Sequence, residues 1–144
     1  MTNKAAREKA PDNILMALQE AQARSGPLTQ EVMAELATSL GVPANDVYGV
    51  ASFYSFLSVK PLGRNVIRVC QSLPCHLKEG QAVIDAIRKA SGVRPGRTTG
   101  DGHFTFELVN CIGLCDGAPA MLINHDVHTD LTPGKIAGIL QKYK

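Results

Sequence analysis

Tryptophan is absent from this 144-residue chain, and four Phe and three Tyr are its only aromatic residues. So few flat side chains leave little platform on which nucleic-acid bases could stack. Charge points the same way: the formal net charge is only +2, which gives no bulk attraction to nucleic acid or to an anionic membrane. No apolar run approaches the ~20 residues of a membrane-spanning helix. Residues 1–13 lack the apolar stretch of a secretory signal. There is no G-x-G-x-x-G following a strand and no G-x4-G-K-[ST] phosphate loop, so no recognised route to binding NAD or flavin is present. These absences predict a soluble, cytoplasmic chain that neither binds nucleic acid nor inserts directly into a membrane.

What is present suffices for a core. Hydrophobic residues make up 44% of the chain, and the length suits one domain, or a small domain with a helical appendage. Charge is unevenly placed. Residues 60–97 carry Lys60, Arg64, Arg68, Lys78, Arg88, Lys89, Arg94 and Arg97 against Glu79 and Asp85, a local surplus of +6, while the flanking segments are each −2. A basic stretch of this kind either steers an acidic partner or forms solvated helix faces and loops.

The first part of the chain reads as helical. Ile14, Leu15, Leu18 and Ala21 recur at helical spacing after the start signal Asp12-Asn13, and Ser25-Gly26-Pro27 breaks the pattern. Thr29 is positioned to cap a second helix that carries Val32, Met33, Leu36 and Leu40 and stops at Gly41 before Pro43. A third helix is expected from about Ala44, with Val47, Val50, Ala51 and Tyr54 on one side. The run Ser52–Leu57 reads as core or as a seam between domains. None of these helices is a basic recognition helix, which weakens a helix-turn-helix interpretation.

Pro61-Leu62-Gly63 marks a boundary, after which the pattern becomes mixed. Val66–Val69 reads as a strand leading into Cys70, Glu79–Ala90 as a helix closed by Gly92, and residues 93–103 as a loop. Phe104, Phe106 and Leu108 alternate with Thr105, Glu107 and Val109 as a half-buried strand. Ala120–Ile123 and Val127–His128 flank the turn Asn124-His125-Asp126, and Thr132-Pro133 opens a final helix bearing Ile136, Ile139, Leu140 and Tyr143. The predicted fold class is α+β: an N-terminal small helical bundle over residues 1–60, then an α/β domain over residues 61–144 in the order β-α-β-β-β-α. Both segments bearing cysteines would then leave the carboxyl ends of strands.

The four cysteines carry the chemistry: Cys70-x4-Cys75 and, further on, Cys111-x3-Cys115. In a reducing compartment, paired thiols more often hold metal or do redox work than form structural disulfides. Zinc sites favour tight C-x2-C knuckles, often with His. The longer gaps here suit loops wrapped around a two-iron cluster, and an all-cysteine [2Fe–2S] site needs four thiolates. Thiol exchange of the thioredoxin kind uses C-x-x-C, which neither pair has. The plant-type ferredoxin spacing C-x4-C-x2-C is not matched either. Leu73, Pro74, Ile112 and Leu114 are expected to screen the group from water, and Gly113 and Gly117 to let backbone N–H groups approach sulfur. His76 follows Cys75 without a Cys-x-His pattern and reads as non-ligating, while His103, His125 and His128 read as surface residues. On spacing alone, a [2Fe–2S] cluster and a zinc-stabilised assembly or adaptor subunit without a redox role both remain open.

The segments around these cysteines resemble a known family. Val66-Ile67-Arg68-Val69-Cys70-Gln71-Ser72-Leu73-Pro74-Cys75-His76 is similar to the first cluster loop of the NADH dehydrogenase (complex I) 24-kDa subunit family, also called the E-subunit family. Thr98–Thr105, followed by Val109-Asn110-Cys111-Ile112-Gly113-Leu114-Cys115-Asp116-Gly117-Ala118-Pro119-Ala120-Met121, resembles its second, and Leu40–Pro43 with Val47–Tyr54 resembles its helical region. The resemblance spans roughly residues 13–143. It implies a thioredoxin-like [2Fe–2S] ferredoxin domain behind a helical bundle, with Cys70, Cys75, Cys111 and Cys115 as ligands of one cluster. It also implies a subunit that is non-catalytic alone and exchanges single electrons with an iron–sulfur flavoprotein partner. That partner would carry FMN and NAD(P), and further subunits would complete the complex. Respiratory complex I, soluble NAD-linked hydrogenases (some electron-bifurcating) and NAD-dependent formate dehydrogenases use such subunits; the short chain mildly favours a soluble bacterial complex.

Overall fold

The computed structural model describes residues 13–144, which fall into two compact units, one ending at Pro61 and the other spanning Leu62–Lys144. Asp12 of the expected start signal lies outside the described residues. Among those described, no helix is long and apolar enough to cross a membrane.

The first unit is helical. Helix α1 (Ile14–Ser25) begins where Asn13 Oδ1 accepts the Leu15 N–H at 2.9 Å, which satisfies one of the donors a helix start leaves free. Helix α2 (Gln30–Leu40) is capped by Thr29, whose hydroxyl accepts from Val32 N–H at 3.4 Å, and it closes on Gly41. Helix α3 (Ala44–Phe53) follows Pro43 directly. Leu18, Ala21, Leu28, Met33, Ala37, Val47, Ala51 and Leu57 form one buried cluster. Gln22 fixes the chain beyond α3: its amide nitrogen donates to the Phe56 carbonyl at 2.9 Å, and its oxygen accepts Ser58 N–H at 2.6 Å. The core reading of residues 52–57 holds for Leu57 and in part for the half-buried Tyr54, which packs against this cluster. Phe53, on the side of α3 away from the buried Val47 and Ala51, is 79% exposed, and Phe56, in the turn after α3, is 44% exposed.

The second unit is a five-stranded mixed sheet with helices. In chain order it contains β1 (Asn65–Cys70), α4 (Leu73–Leu77), α5 (Gly80–Ser91), β2 (Arg97–Thr98), β3 (Phe104–Val109), β4 (Met121–Ile123), β5 (Asp126–His128) and α6 (Pro133–Gln141). The sheet order is β2-β3-β1-β4-β5, with β1 parallel to β3 and the other pairs antiparallel. Period-two alternation sends Ile67 and Val69 of β1, with Phe104 and Phe106 of β3, into one core. There they meet Val83 and Ile87 of α5 and Ile136 and Leu140 of α6. The predicted β-α-β-β-β-α order is therefore right in outline and gains two short elements. Helix α4 has only five residues, too few to show a period, and β2 has two exposed residues held by pairing with β3.

Polar groups inside this unit are paired. The buried Asn65 donates to the Tyr143 carbonyl at 3.0 Å and accepts from Asn124 at 3.1 Å, while Asn124 Oδ1 accepts Val66 N–H at 2.9 Å. Buried Thr105 accepts Gly63 N–H at 2.6 Å and shares a hydrogen bond with Thr98 at 2.8 Å. Among the described residues, no buried side-chain nitrogen or oxygen lacks a partner. Phe106 is fully buried at the centre of the sheet. Phe106→Ala is expected to cost about 3–5 kcal/mol, read as a lowered midpoint in denaturant unfolding of the second unit.

Candidate metal centre

Parallel pairing of β1 with β3 decides where the cysteines go. The register runs from Asn65 opposite Phe104 to Cys70 opposite Val109, so the two strands end level. Cys70 is the last residue of β1, and Cys111 lies two residues beyond the end of β3. Cys75 sits on α4, a single turn that starts after Ser72 with Leu73 and Pro74 in its first positions. Cys115 follows on the same loop as Cys111. All four cysteines are free thiols.

They form two pairs with different surroundings. Cys70 and Cys75 are each 2% exposed and pack with Ala118 and the half-buried Ile112. Cys111 and Cys115 are exposed, with their sulfurs 3.3 Å apart. Two thiolates on one tetrahedral metal with bonds of about 2.3 Å stand about 3.8 Å apart, so this pair needs little opening to share a metal. The loops meet at Ile112, whose backbone N–H reaches Cys70. Among the described residues, no three His, Cys, Asp or Glu side chains are drawn around one point as a metal cage. Two thiol pairs match the ligand count of a two-iron centre, where each iron takes two protein ligands.

Ionisation follows the same division. Burial pushes the Cys70 thiol up, but hydrogen bonds from the backbone and side chain of Ser72, from Cys75 and from Ile112 N–H outweigh it, and the group falls below the usual thiol range. Burial, and then the neighbouring Cys70, push Cys75 up. The hydrogen bond with Cys111 raises Cys115. Bringing thiols this close makes each deprotonation harder than the last unless a cation arrives, a usual property of thiolate metal sites.

The residues between the cysteines depart in part from expectation. Leu73 is 66% exposed and Pro74 is exposed, so they do not screen the site within this chain; Ile112 does. Gly113, at φ 82°, donates its N–H to Cys111 Sγ at 3.4 Å, as predicted. Gly117 serves a different neighbour: a Cβ there would fall 2.7 Å from Cβ of Thr129. Gly80, which the sequence did not single out, matters more. A Cβ at that position would lie 2.5 Å from the Cys75 carbonyl oxygen, so α5 can start against α4 only without a side chain there. The one available signal was Gly at a helix start five residues after a cysteine.

Of the histidines, His76 follows Cys75 on α4 and lines a cavity with Cys70. His76 and His125 are exposed. His103 Nε2 bonds the Tyr143 carbonyl at 2.6 Å, and His128 Nε2 bonds the Tyr143 hydroxyl at 3.1 Å. Burial, and then a hydrogen bond to Asp126, push the Tyr143 phenol up to about 12, so it stays protonated and donates to Asp126 at 2.7 Å. These side chains tie the last residues to the sheet.

The sequence profile described as thioredoxin-like [2Fe-2S] ferredoxin matches residues 2–144. The chain belongs to the thioredoxin-like [2Fe-2S] ferredoxin family. Among the relatives of this ferredoxin, the E subunit of NADH-quinone oxidoreductase from Escherichia coli (strain K12) is 42% identical over 128 residues, 89% of this chain and 77% of that one. Its counterpart in Pseudomonas aeruginosa PAO1 is 41% identical over 127 residues, covering 88% and 76%. An air-oxidised NAD+-reducing [NiFe]-hydrogenase superimposes with a TM-score of 0.81 at 29% identity, covering 99% of this chain. The ferredoxin chain spans only 24% of that hydrogenase chain.

Glycine substitutions separate the crowded position from the open ones. Gly80→Ala is expected to destabilise by about 1–3 kcal/mol through its clash with Cys75. Gly138→Ala, in α6 with nothing within 4 Å of its new Cβ, is expected to stabilise by about 0.5–1 kcal/mol. Melting temperatures that move in the same direction for both would contradict this assignment.

Proposed function

We propose that this ferredoxin is an electron-transfer subunit whose Cys70, Cys75, Cys111 and Cys115 hold one [2Fe–2S] cluster. The observation that carries the reading is the meeting of two thiol pairs at the level ends of β1 and β3, one pair buried and one exposed. When bound, the cluster supplies storage of a single electron. The protein supplies four thiolates and hydrogen bonds that offset their charge. Gly113 N–H points at Cys111, the Ser72 and Ile112 N–H groups at Cys70, and the Ala120 backbone at Cys75. Donors aimed at cluster sulfur favour the more negative, reduced state. The exposed pair gives a short path for an electron to reach a docked partner.

We assign the complex as an NAD(P)H-linked oxidoreductase of the cytoplasm. The relatives' names, a subunit of NADH-quinone oxidoreductase and an NAD+-reducing hydrogenase, support the link to NAD(H). In this reading FMN and NAD(P)H belong to an iron–sulfur flavoprotein partner; the sequence of this chain, which holds no recognised nucleotide-binding motif, agrees with that division. Soluble NAD-linked hydrogenase, with or without electron bifurcation, formate dehydrogenase and respiratory complex I all use this division of labour. The subunits that co-purify distinguish among them.

The helical part, residues 1–60, serves as an assembly surface in this reading, and residues 61–144 carry the cluster. Tyr48, Phe53 and Phe56 are exposed aromatics on one short stretch, the residue type that anchors interfaces. Phe53→Ala is expected to weaken capture of the flavoprotein subunit about tenfold or more, with the visible spectrum of the cluster unchanged. Equal capture by wild type and variant would remove the surface from the interface.

The purified chain is expected to be brown, with two irons and two sulfides per chain and a paramagnetic signal on reduction. Cys111→Ser should shift the spectrum and weaken iron retention. One zinc with no iron or sulfide would sink the electron-transfer reading in favour of a zinc-stabilised adaptor.

A further inference from the structure

Arg68 and Glu107 form the shortest ion pair among the described residues, Arg68 Nε to Glu107 Oε2 at 3.1 Å, across the central strands β1 and β3. Their side chains are 24% and 27% exposed, so both charges are largely withdrawn from water. Arg68 stands two residues before Cys70 and Glu107 two residues before Val109, the partner of Cys70 in the parallel register. Side chains two apart on a strand share a face, and about 7 Å separates their Cα atoms. The pair therefore lies on the same face as Cys70. Its in-register neighbours there are Val66, Thr105, Val109 and Leu122, none of them charged.

We infer that the Arg68–Glu107 pair holds two opposite charges in balance beside the centre, Arg68 favouring its reduction and Glu107 opposing it. The inference rests on the cluster reading above. Reduction adds one negative charge at the thiolate site and moves no other atom of the balance; the electron comes from the docked redox partner. A cation nearby favours that step and an anion opposes it. Partial burial keeps the interaction from being screened away at this range. With both partners present their effects nearly cancel, and removing either leaves a single charge beside the site. A hydrogen-bonded pair that mattered only for strand pairing would behave differently, since losing either partner would then have the same consequence.

An anaerobic redox titration of the iron-loaded full chain, followed by visible absorption and by the paramagnetic signal, separates these cases. Arg68→Gln is expected to lower the midpoint, so that at the wild-type midpoint the reduced-to-oxidised ratio falls about tenfold, equivalent to 59 mV for one electron. Glu107→Gln is expected to raise it by a comparable amount. The double variant R68Q/E107Q should lie between the two, and Arg68→Lys close to wild type. Shifts of one sign in both single variants, or unmoved midpoints, overturn the inference. If R68Q does not retain iron, E107Q decides alone: a raised midpoint supports the inference, and an unmoved or lowered one defeats it. Loss of iron from both single variants counts against it, because the pair is then structural. A wild-type chain without iron and sulfide overturns the cluster reading and this inference together, whereas loaded variants with unmoved midpoints overturn this inference alone.

Discussion

The parallel ladder between β1 and β3 is the constraint on which the centre depends. Six residue pairs in register bring two segments nearly forty positions apart to one end of the sheet. The thiols sit at and just beyond these strand ends: Cys70 closes β1, Cys75 lies on α4, and Cys111 and Cys115 lie on the loop after β3. Cys70 belongs to the strand itself, so its place is set by main-chain hydrogen bonds, including its own N–H to the Ala120 carbonyl at 3.2 Å. A slip of one residue in this ladder would turn Cys70 to the other face and push Ile67 and Val69 out of the core. Core packing and cysteine placement are thus enforced by the same register.

In the proposed reading, the two thiol pairs divide the work between holding the cluster and exchanging its electron. Cys70 and Cys75 lie under Ala118 and Ile112, where water and oxidants have little access. Cys111 and Cys115 stand at the surface on a loop shaped by Gly113. A site closed on all sides would be slow to pass an electron, and one open on all sides would lose its metal. The leucines on α4, Leu73 and Leu77, are exposed beside the buried pair, which leaves an apolar rim around the opening.

Much of this was legible from residues alone. Helices α2 and α5 announced themselves through Thr29, Gly41 and Gly92 at their ends and through apolar positions at helical spacing. Strand β3 showed a clean alternation of residue type, although both of its faces are covered: Thr105 is buried as fully as Phe104, and Glu107, Leu108 and Val109 are all half-buried. What escaped notice depends on neighbours distant in sequence. Helix α4 is a single turn whose form is fixed by the start of α5 against it, so the weight of Gly80 appears only when the Cys75 carbonyl is seen facing it. The path of the chain after α3 is held by Gln22, which bonds the Phe56 carbonyl across 34 residues of sequence. Local patterns carry no trace of such contacts. The cysteine spacing indicated metal, while the assignment of buried and exposed pairs came only with the sheet.

The position of β1 at the middle of the sheet bears on how the chain is made. A ribosome delivers this strand before any of its partners. Its neighbour β3 emerges some forty residues later, β4 later still, and Tyr143, whose carbonyl holds Asn65, almost last. The helical unit, built from nearby contacts, can close while synthesis continues, whereas the apolar central strand waits with both edges unpaired. Until translation is nearly complete, the segment that ends in Cys70 is the part of the nascent chain most in need of a chaperone.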